Sequence, residues 1–405
     1  MTGTNDAREA TRAKALKRKD RAIPGTLAPL YAAGFTTAFG AHSIAAGLGA
    51  ETGNIGLGLL TFGVILALYD VAEVILKPVF GSLSDRIGSK PVVVGGLVAF
   101  AVASAFGFFA TTPVVLGLVR LGQGAAASAF SPASSAAVAR LAGPAAAGRY
   151  FGKYGSWKGL GYVLGPLLGA GLIGTGGFPA LFAALTAVSL AAALWTLFAM
   201  PRLPVLTRPR YTAMDLIRQT SQRGFLIPTT ALAAATGALG VAVGFLPLLG
   251  ASLHLPLIGS MAVVAVLALS STLTQPVVGR LRDQGRITDR AGMAAGLLLI
   301  AAGIAALAIL PLPATLYLAA VVLGIGIGIA TPLGFAHLAG TTPPERMGRT
   351  MGTAELGREI GDSCGPLIVG GIAAALSLAA GLWALAFLVA GCGALCLVLL
   401  RPRRR

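Results

Sequence analysis

Charge is what this 405-residue chain has least of. Only 11% of its residues are charged and 14 are acidic, against 56% hydrophobic and a mean hydropathy of +0.82. A soluble protein of this size carries about a quarter charged residues, so a conventional water-facing surface is excluded. Cysteine is also scarce. Cys364, Cys392 and Cys396 all fall inside apolar runs, where they read as small packing residues and give no disulfide framework. His42, His254 and His337 are too scattered for a metal site, and none is expected. The G-x-x-x-x-G-K-[ST] pattern is missing, which excludes ATP hydrolysis as the energy source, and no enzyme reading survives. GIGIGIA (324–330) lies within an apolar helix and reads as small-residue packing. Ten-residue segments of alternating polarity are missing as well, which excludes a β-barrel.

What is present is a series of apolar runs, each of roughly 20 residues and long enough to cross ~30 Å of hydrocarbon. They fall at about 25–47, 57–80, 91–110, 114–138, 151–174, 178–199, 225–249, 258–279, 291–310, 314–338, 351–374 and 378–400. The fold class is an all-α polytopic membrane protein with twelve transmembrane helices. The first run is too long for a signal-peptide core and follows a polar tail, 1–24, expected to be disordered or weakly helical. The net charge of +17 does not imply nucleic-acid binding, because all but five of the 31 Lys and Arg sit in alternate inter-helix segments and the two tails. That distribution places both termini and the 200–224 connection in the cytoplasm, with some affinity for anionic lipid. The Ala, Gly and Arg bias points to a GC-rich bacterium, and hence to its inner membrane.

The chain repeats itself. GRYFGKYGSWKGLGYVLGPLLGA (148–170) aligns with GRTMGTAELGREIGDSCGPLIVG (348–370), and KPVFGSLSD (77–85) aligns with QPVVGRLRD (275–283). Two six-helix bundles follow, 25–199 and 225–400, joined by the basic linker 200–224 and flanked by the tails 1–24 and 401–405. Parallel halves of this kind place a small-molecule substrate between them near the bilayer midplane and alternate its access by rocking. A monomer is expected.

Four motifs carry a family resemblance. GSLSDRIGSK supplies Gly81, Leu83, Asp85, Arg86, Gly88 and Lys90, with Ser89 where an arginine is usual, and GRLRDQGR (279–286) is a weaker second copy. LVRLGQGAAA supplies Arg120, Gln123 and Gly124, and GYVLGPLLGA supplies Gly161, Gly165, Pro166 and Gly169. Over 25–400 the chain resembles the major facilitator superfamily, and its helix 5 motif is similar to that of the proton-coupled drug antiporters. The resemblance implies that Asp85 reaches the start of helix 11 and holds the cytoplasmic side shut. It also matches Arg120 to an arginine used in proton coupling. Many relatives carry an acid in helix 1, where this chain offers only His42. From the residues themselves, Gly81, Gly88 and the polar stretch between them predict a short loop with a tight turn. The stripe Gly161, Gly165, Gly169, repeated at Gly357, Gly361, Gly365, predicts ordinary close helix packing, of the kind a rocking interface needs, with a bend at Pro166.

The remaining signal is charge inside the apolar runs. Asp70, Glu73 and Lys77 share one face of helix 2, and Glu355, Arg358, Glu359 and Asp362 share one face of helix 11; Arg120, Lys153 and Lys158 complete the set. Each must face the interior, since an unpaired charge at the bilayer centre costs several kcal/mol. At 1.5 Å per residue, Asp70 and Asp362 both lie roughly 15 Å from the cytoplasmic edge, and Lys77 and Glu355 within about a turn of it. The expected arrangement is layered. Lys77 with Glu355 or Glu359, beside the loop residues Gly81, Asp85, Arg86 and Gly88, forms a cytoplasmic gate. Asp70, Glu73, Arg120, Glu359 and Asp362 serve proton coupling, and His42, Trp157, Lys158 and Arg358 line the substrate cavity. A permanent network holding the bundles in register is the competing use of these charges. The function expected is proton-coupled efflux of small organic molecules or drugs, powered by the proton gradient without a cofactor. The alternative is transport or exchange of anions, with Lys158 and Arg358 as a clamp.

Overall fold

A computed structural model describes residues 25–44, 59–205 and 221–400 of the chain. Both basic tails, the first inter-helix loop and most of the basic linker lie outside the described residues.

Long apolar segments have one economical way to satisfy their backbone in hydrocarbon, which is the helix. Residues 25–44 form α1, Leu59–Ile87 α2 and Ser89–Phe106 α3. A single helical run, Pro113–Ala199, breaks at Gly143 (φ 65°) and at Gly176-Gly177 (φ 66° at Gly177). Its three segments are α4 (113–142), α5 (144–175) and α6 (178–199). Glycine takes this left-handed backbone at no steric cost, and Pro144 and Pro179, just beyond, suit the first turn of the next helix. There follow α7 (Arg223–Ser252), α8 (Leu257–Asp283), α9 (Asp289–Ile309), α10 (Pro313–Thr341), α11 (Met347–Ala375) and α12 (Leu378–Leu399). Thr112, Thr288 and Ser377 cap α4, α9 and α12, each accepting a backbone N–H three residues on. These twelve helical segments coincide with the twelve apolar runs. Seven described helical runs are long and apolar enough to cross a membrane, the 87-residue run counting once. α1, α2 and α11 are not among them.

Two expectations need correction. The stretch from Gly81 to Ile87 is not a loop: α2 continues through it, and the turn is confined to Gly88 at φ 94°. Gly81 has a different task. A Cβ there would lie 2.5 Å from the Gly348 carbonyl, so its missing side chain lets α2 and α11 touch. The Gly161–Gly165–Gly169 stripe, in turn, does not line the interface between halves. It packs on Phe35, Ala38, His42 and Ser43 of α1, and its repeat on α11 packs on Thr229, Ala233 and Gly237 of α7. The interface between halves is built from other glycines. Gly148 and Gly152 meet Gly279 and Gln275 of α8, and Gly348 and Gly352 meet Gly81 and Lys77 of α2. Gly152 and Gly161 are nine residues apart, which is two and a half helical turns, so they face opposite sides of α5.

Buried apolar residues form two clusters, one drawn mainly from α1–α6 and one from α7–α12, with Phe335 and Met347–Ala354 of the second half joining the first cluster. The halves meet where α2 packs on α11 and α5 on α8, at the end of the molecule that carries the basic turns. Phe151 of α5 and Phe335 of α10 stack across this seam, with centroids 5.4 Å apart.

The two glycine sets should respond differently to substitution. Gly361→Val forces a side chain into the backbone of Ala233 within one half, and overpacking of this kind costs about 1–3 kcal/mol. Thermal unfolding of the purified protein should drop by several degrees. Gly279→Ala presses on Gly148 across the seam and should leave unfolding nearly unchanged. It should instead raise the thiol reactivity of a Ser84→Cys reporter, buried in the distal part of the seam, in a background with the three native cysteines removed. Equal loss of stability in both variants would refute the division.

Candidate functional site: the charged seam

The seam is pinned at its outer edge by two carboxylates, each placed on the first turns of a helix in the other half. Asp85, at the end of α2, accepts the N–H groups of Gly348 (2.7 Å) and Arg349 (2.9 Å). Asp283, at the end of α8, accepts those of Gly148 (3.0 Å) and Arg149 (2.7 Å). The N–H groups of Gly348 and Arg349 belong to the first turn of α11, which lacks intrahelical partners and presents positive charge, so an anion is stabilised there; those of Gly148 and Arg149 lie one turn into α5. Beside Asp283, Arg282 pairs with Asp289 at 2.8 Å and donates to the Pro144 carbonyl across the seam. Asp283 and Arg282 were not singled out from the sequence, although the copy GRLRD pointed to them.

Deeper in, Lys77 is fully buried and holds three carboxylates. Its Nζ donates to Glu73 Oε2 at 2.8 Å on its own helix and to Glu359 Oε1 at 2.6 Å on α11, and stands 3.9 Å from Glu355 Oε2. Of the two acids expected to gate with Lys77, Glu359 thus makes the short contact. Glu355 is turned toward the first half instead, where the hydroxyls of Ser131 and Ser135 on α4 donate to its two oxygens. Nothing in the sequence distinguishes those serines from the other small residues of ASAFSPASSA. Tyr69 donates to Glu73 (3.4 Å), and Arg120 lies over the Tyr69 ring at 4.2 Å while donating to Gln123. Arg120 therefore braces this cluster from behind an aromatic ring.

Beyond the seam α2 and α11 emerge. Asp70 and Asp362 are exposed, and each lies within electrostatic range of Glu359. Lys158 and Arg358, both buried, line one cavity between the halves with Phe151, Tyr154, Tyr162, Gln275 and Phe335. His42 is not among the lining residues; its Nδ1 lies 2.9 Å from the Ala38 carbonyl and its ring meets the Tyr162 edge. Trp157 is 39% exposed and also lies outside the lining. Gly161, Gly165, Pro166 and Gly169 belong to the packing of α5 on α1. Arg86 is exposed at the end of α2. Among the described residues no group of three His, Cys, Asp or Glu is placed to hold a metal ion.

Removing Lys77 leaves Glu73 buried and the half-buried Glu359 without their cation, and breaking a buried pair in this way costs about 3–5 kcal/mol. Lys77→Ala should therefore open the seam, raising Ser84→Cys reactivity and lowering cross-linking between cysteines placed across α2 and α11. Adding Glu359→Gln to Lys77→Ala should recover part of the closure, because one of the stranded charges is gone. Unchanged cross-linking in the single variant would show that the network does not hold the seam.

The profile of the Major Facilitator Superfamily matches residues 30–288 and again 229–405. A multidrug resistance protein, MdtG, of Enterobacter lignolyticus is 35% identical over 144 residues, 36% of this chain and 34% of that protein. A class H tetracycline resistance protein of Pasteurella multocida is 35% identical over 127 residues, 31% of each chain. The matched stretch thus spans about a third of these relatives' length. Among solved structures, the human organic anion transporter MFSD10 superposes with a TM-score of 0.74 at 18% identity, covering 93% of this chain and 99% of that one. The transporter FucP in its outward conformation superposes with a TM-score of 0.78 at 13% identity, covering 94% and 100%. At these identities the structures speak for the fold alone, and the profile match settles the family: the chain belongs to the major facilitator superfamily of transporters.

Proposed function

We propose that the protein is a proton-coupled antiporter that exports small organic molecules by alternating access between its two halves. The observation that carries this reading is the convergence of Glu73, Glu355 and Glu359 on the single ammonium of Lys77 across the seam. With all three ionised they outnumber Lys77, and Lys158 and Arg358 lie within electrostatic range of Glu355 and Glu359; an acid that changes its cation partner as the halves move takes up or gives off a proton. Asp70 and Asp362, exposed beyond the seam on the same two helices, offer the proton its entry. A proton on Glu359 cancels its attraction to Lys77 and releases α11 from α2. Glu73 stays with Lys77 because both are on α2, so the lysine keeps a partner when the halves separate. Loss of that proton on the other side restores the Lys77–Glu359 pair and closes the seam again.

The basic end faces the cytoplasm of a bacterial inner membrane in this reading, with both termini and the 200–224 linker on that side. The closed seam is then the outward-facing state. The protein works as a monomer, with the proton gradient as its only energy source. The resistance relatives support export of drug-like molecules as the direction and class of cargo.

The test is proton flux in everted vesicles holding an acid-inside gradient, challenged with cationic, neutral and anionic compounds. At least one compound should collapse the gradient in wild type. Glu359→Gln and Asp362→Asn should each reduce that response tenfold or more. No response from wild type to any compound would remove proton antiport as the reading.

A further inference from the structure

The acids of α2 and α11 account for coupling and leave two buried cations unused. Lys158 on α5 is 6% exposed and Arg358 on α11 is 7% exposed. Both line the same cavity of about 50 Å³ between the halves. Among the described residues neither makes an ion pair, and Arg358 Nε and Gln275 Oε1 have no hydrogen-bond partner. Glu355 does not neutralise them by contact, since its oxygens are taken by Ser131 and Ser135.

The internal repeat explains how this arises. Glu355 and Glu359 of α11 correspond to Gly155 and Gly159 of α5, and Glu73 and Lys77 of α2 correspond to Ser271 and Gln275 of α8. One seam, α2 with α11, is therefore charged and filled. The other, α5 with α8, carries no acid at these positions; Gly155 and Gly159 let Gln275 and Thr272 approach α5 closely, and all but Thr272 border the cavity. We propose that Lys158 and Arg358 form an anion-binding subsite for the carboxylate, sulfonate or similar oxyanion group of the transported molecule. This inference deepens the transport reading and rests on it. Two buried cations with no ion-pair contact, held only by the field of Glu355 and Glu359, are costly, and an oxyanion between them lowers that cost. Arginine offers a planar fork to two oxygens and lysine a point charge. The cavity exceeds the ~10–15 Å³ that a single water needs on the same measure, so it has room for an anionic head group. The stacked rings of Phe151 and Phe335, with Arg358 5.7 Å from the latter, give the cavity an aromatic wall beside its cations.

The experiment uses the full-length protein in detergent, titrated by calorimetry and followed by thermal unfolding. The probes are naphthalene sulfonate, the matching naphthyl trimethylammonium cation, chloride and nitrate. Naphthalene sulfonate should bind and raise the unfolding temperature, and the cation should do neither. Lys158→Gln and Arg358→Gln should each weaken sulfonate binding tenfold or more, while Lys158→Arg largely retains it. Stabilisation by sulfonate and not by chloride or nitrate assigns the subsite to a substrate head group; stabilisation by all three assigns it to a free inorganic anion as well. Equal binding of sulfonate and ammonium, or unweakened binding in both Gln variants, overturns the proposal. If those variants do not fold, the wild-type contrast between sulfonate and ammonium decides. Anion binding without any proton-gradient response would keep the subsite and remove antiport. Gradient collapse by cationic compounds without sulfonate binding would do the reverse.

Discussion

An ammonium with no water around it needs anions, and Lys77 draws them from both halves of the molecule. Glu73 comes from its own helix and Glu359 from across the seam, with Glu355 a little further away. The rest of the seam follows from meeting that requirement. The helices must approach closely enough for a lysine and a glutamate to touch, so Gly81, Gly348 and Gly352 line the contact where larger residues would hold the backbones apart. The second glutamate needs donors of its own, which Ser131 and Ser135 supply from α4. Lys77 is compensated both by a group in the opposite half, Glu359, and by one on its own helix, Glu73. Separation of the halves changes the first kind of compensation and spares the second.

The two sides of the seam share a scaffold and differ in chemistry. Asp85 and Asp283 perform the same helix-capping task at equivalent positions, so the mechanical lock is duplicated. The buried charges are not. Acids gather where α2 meets α11, while Lys158 of α5 and Arg358 of α11, with no ion-pair contact among the described residues, line the cavity beside α8.

Much of this was legible in the amino-acid order. Apolar run length marked the twelve helices, because the bilayer sets both their length and their polarity. The pairing of Lys77 with an acid of α11 followed from charge spacing combined with the relation between the halves. Other features could not be read. The helical course of Gly81–Ile87 depends on packing against α11, which outweighs the turn tendency of a glycine in a polar stretch. The conspicuous glycine stripe on α5 proved to face α1, because nine residues along a helix reverse its direction and the motif itself does not say which neighbour it meets. Ser131 and Ser135 gave no signal, since a hydroxyl in a small-residue helix looks the same whether it serves packing or a carboxylate. Asp283 was readable through the repeat, but only by giving the second copy the same weight as the first.

The reciprocal capping by Asp85 and Asp283 has a further meaning. Each half carries one carboxylate that reaches out and one helix start that receives, and neither half uses its own carboxylate on its own helix start. This is the geometry of an isologous contact, in which residue i meets j and j meets i, as between two copies in a two-fold dimer. A symmetric pair must change both copies of a contact at once. Joined in one chain, the copies are released from that rule: Lys77 can face glutamates while its counterpart Gln275 faces glycine. The covalent linker thus makes asymmetry available to a contact that keeps the form of a symmetric dimer.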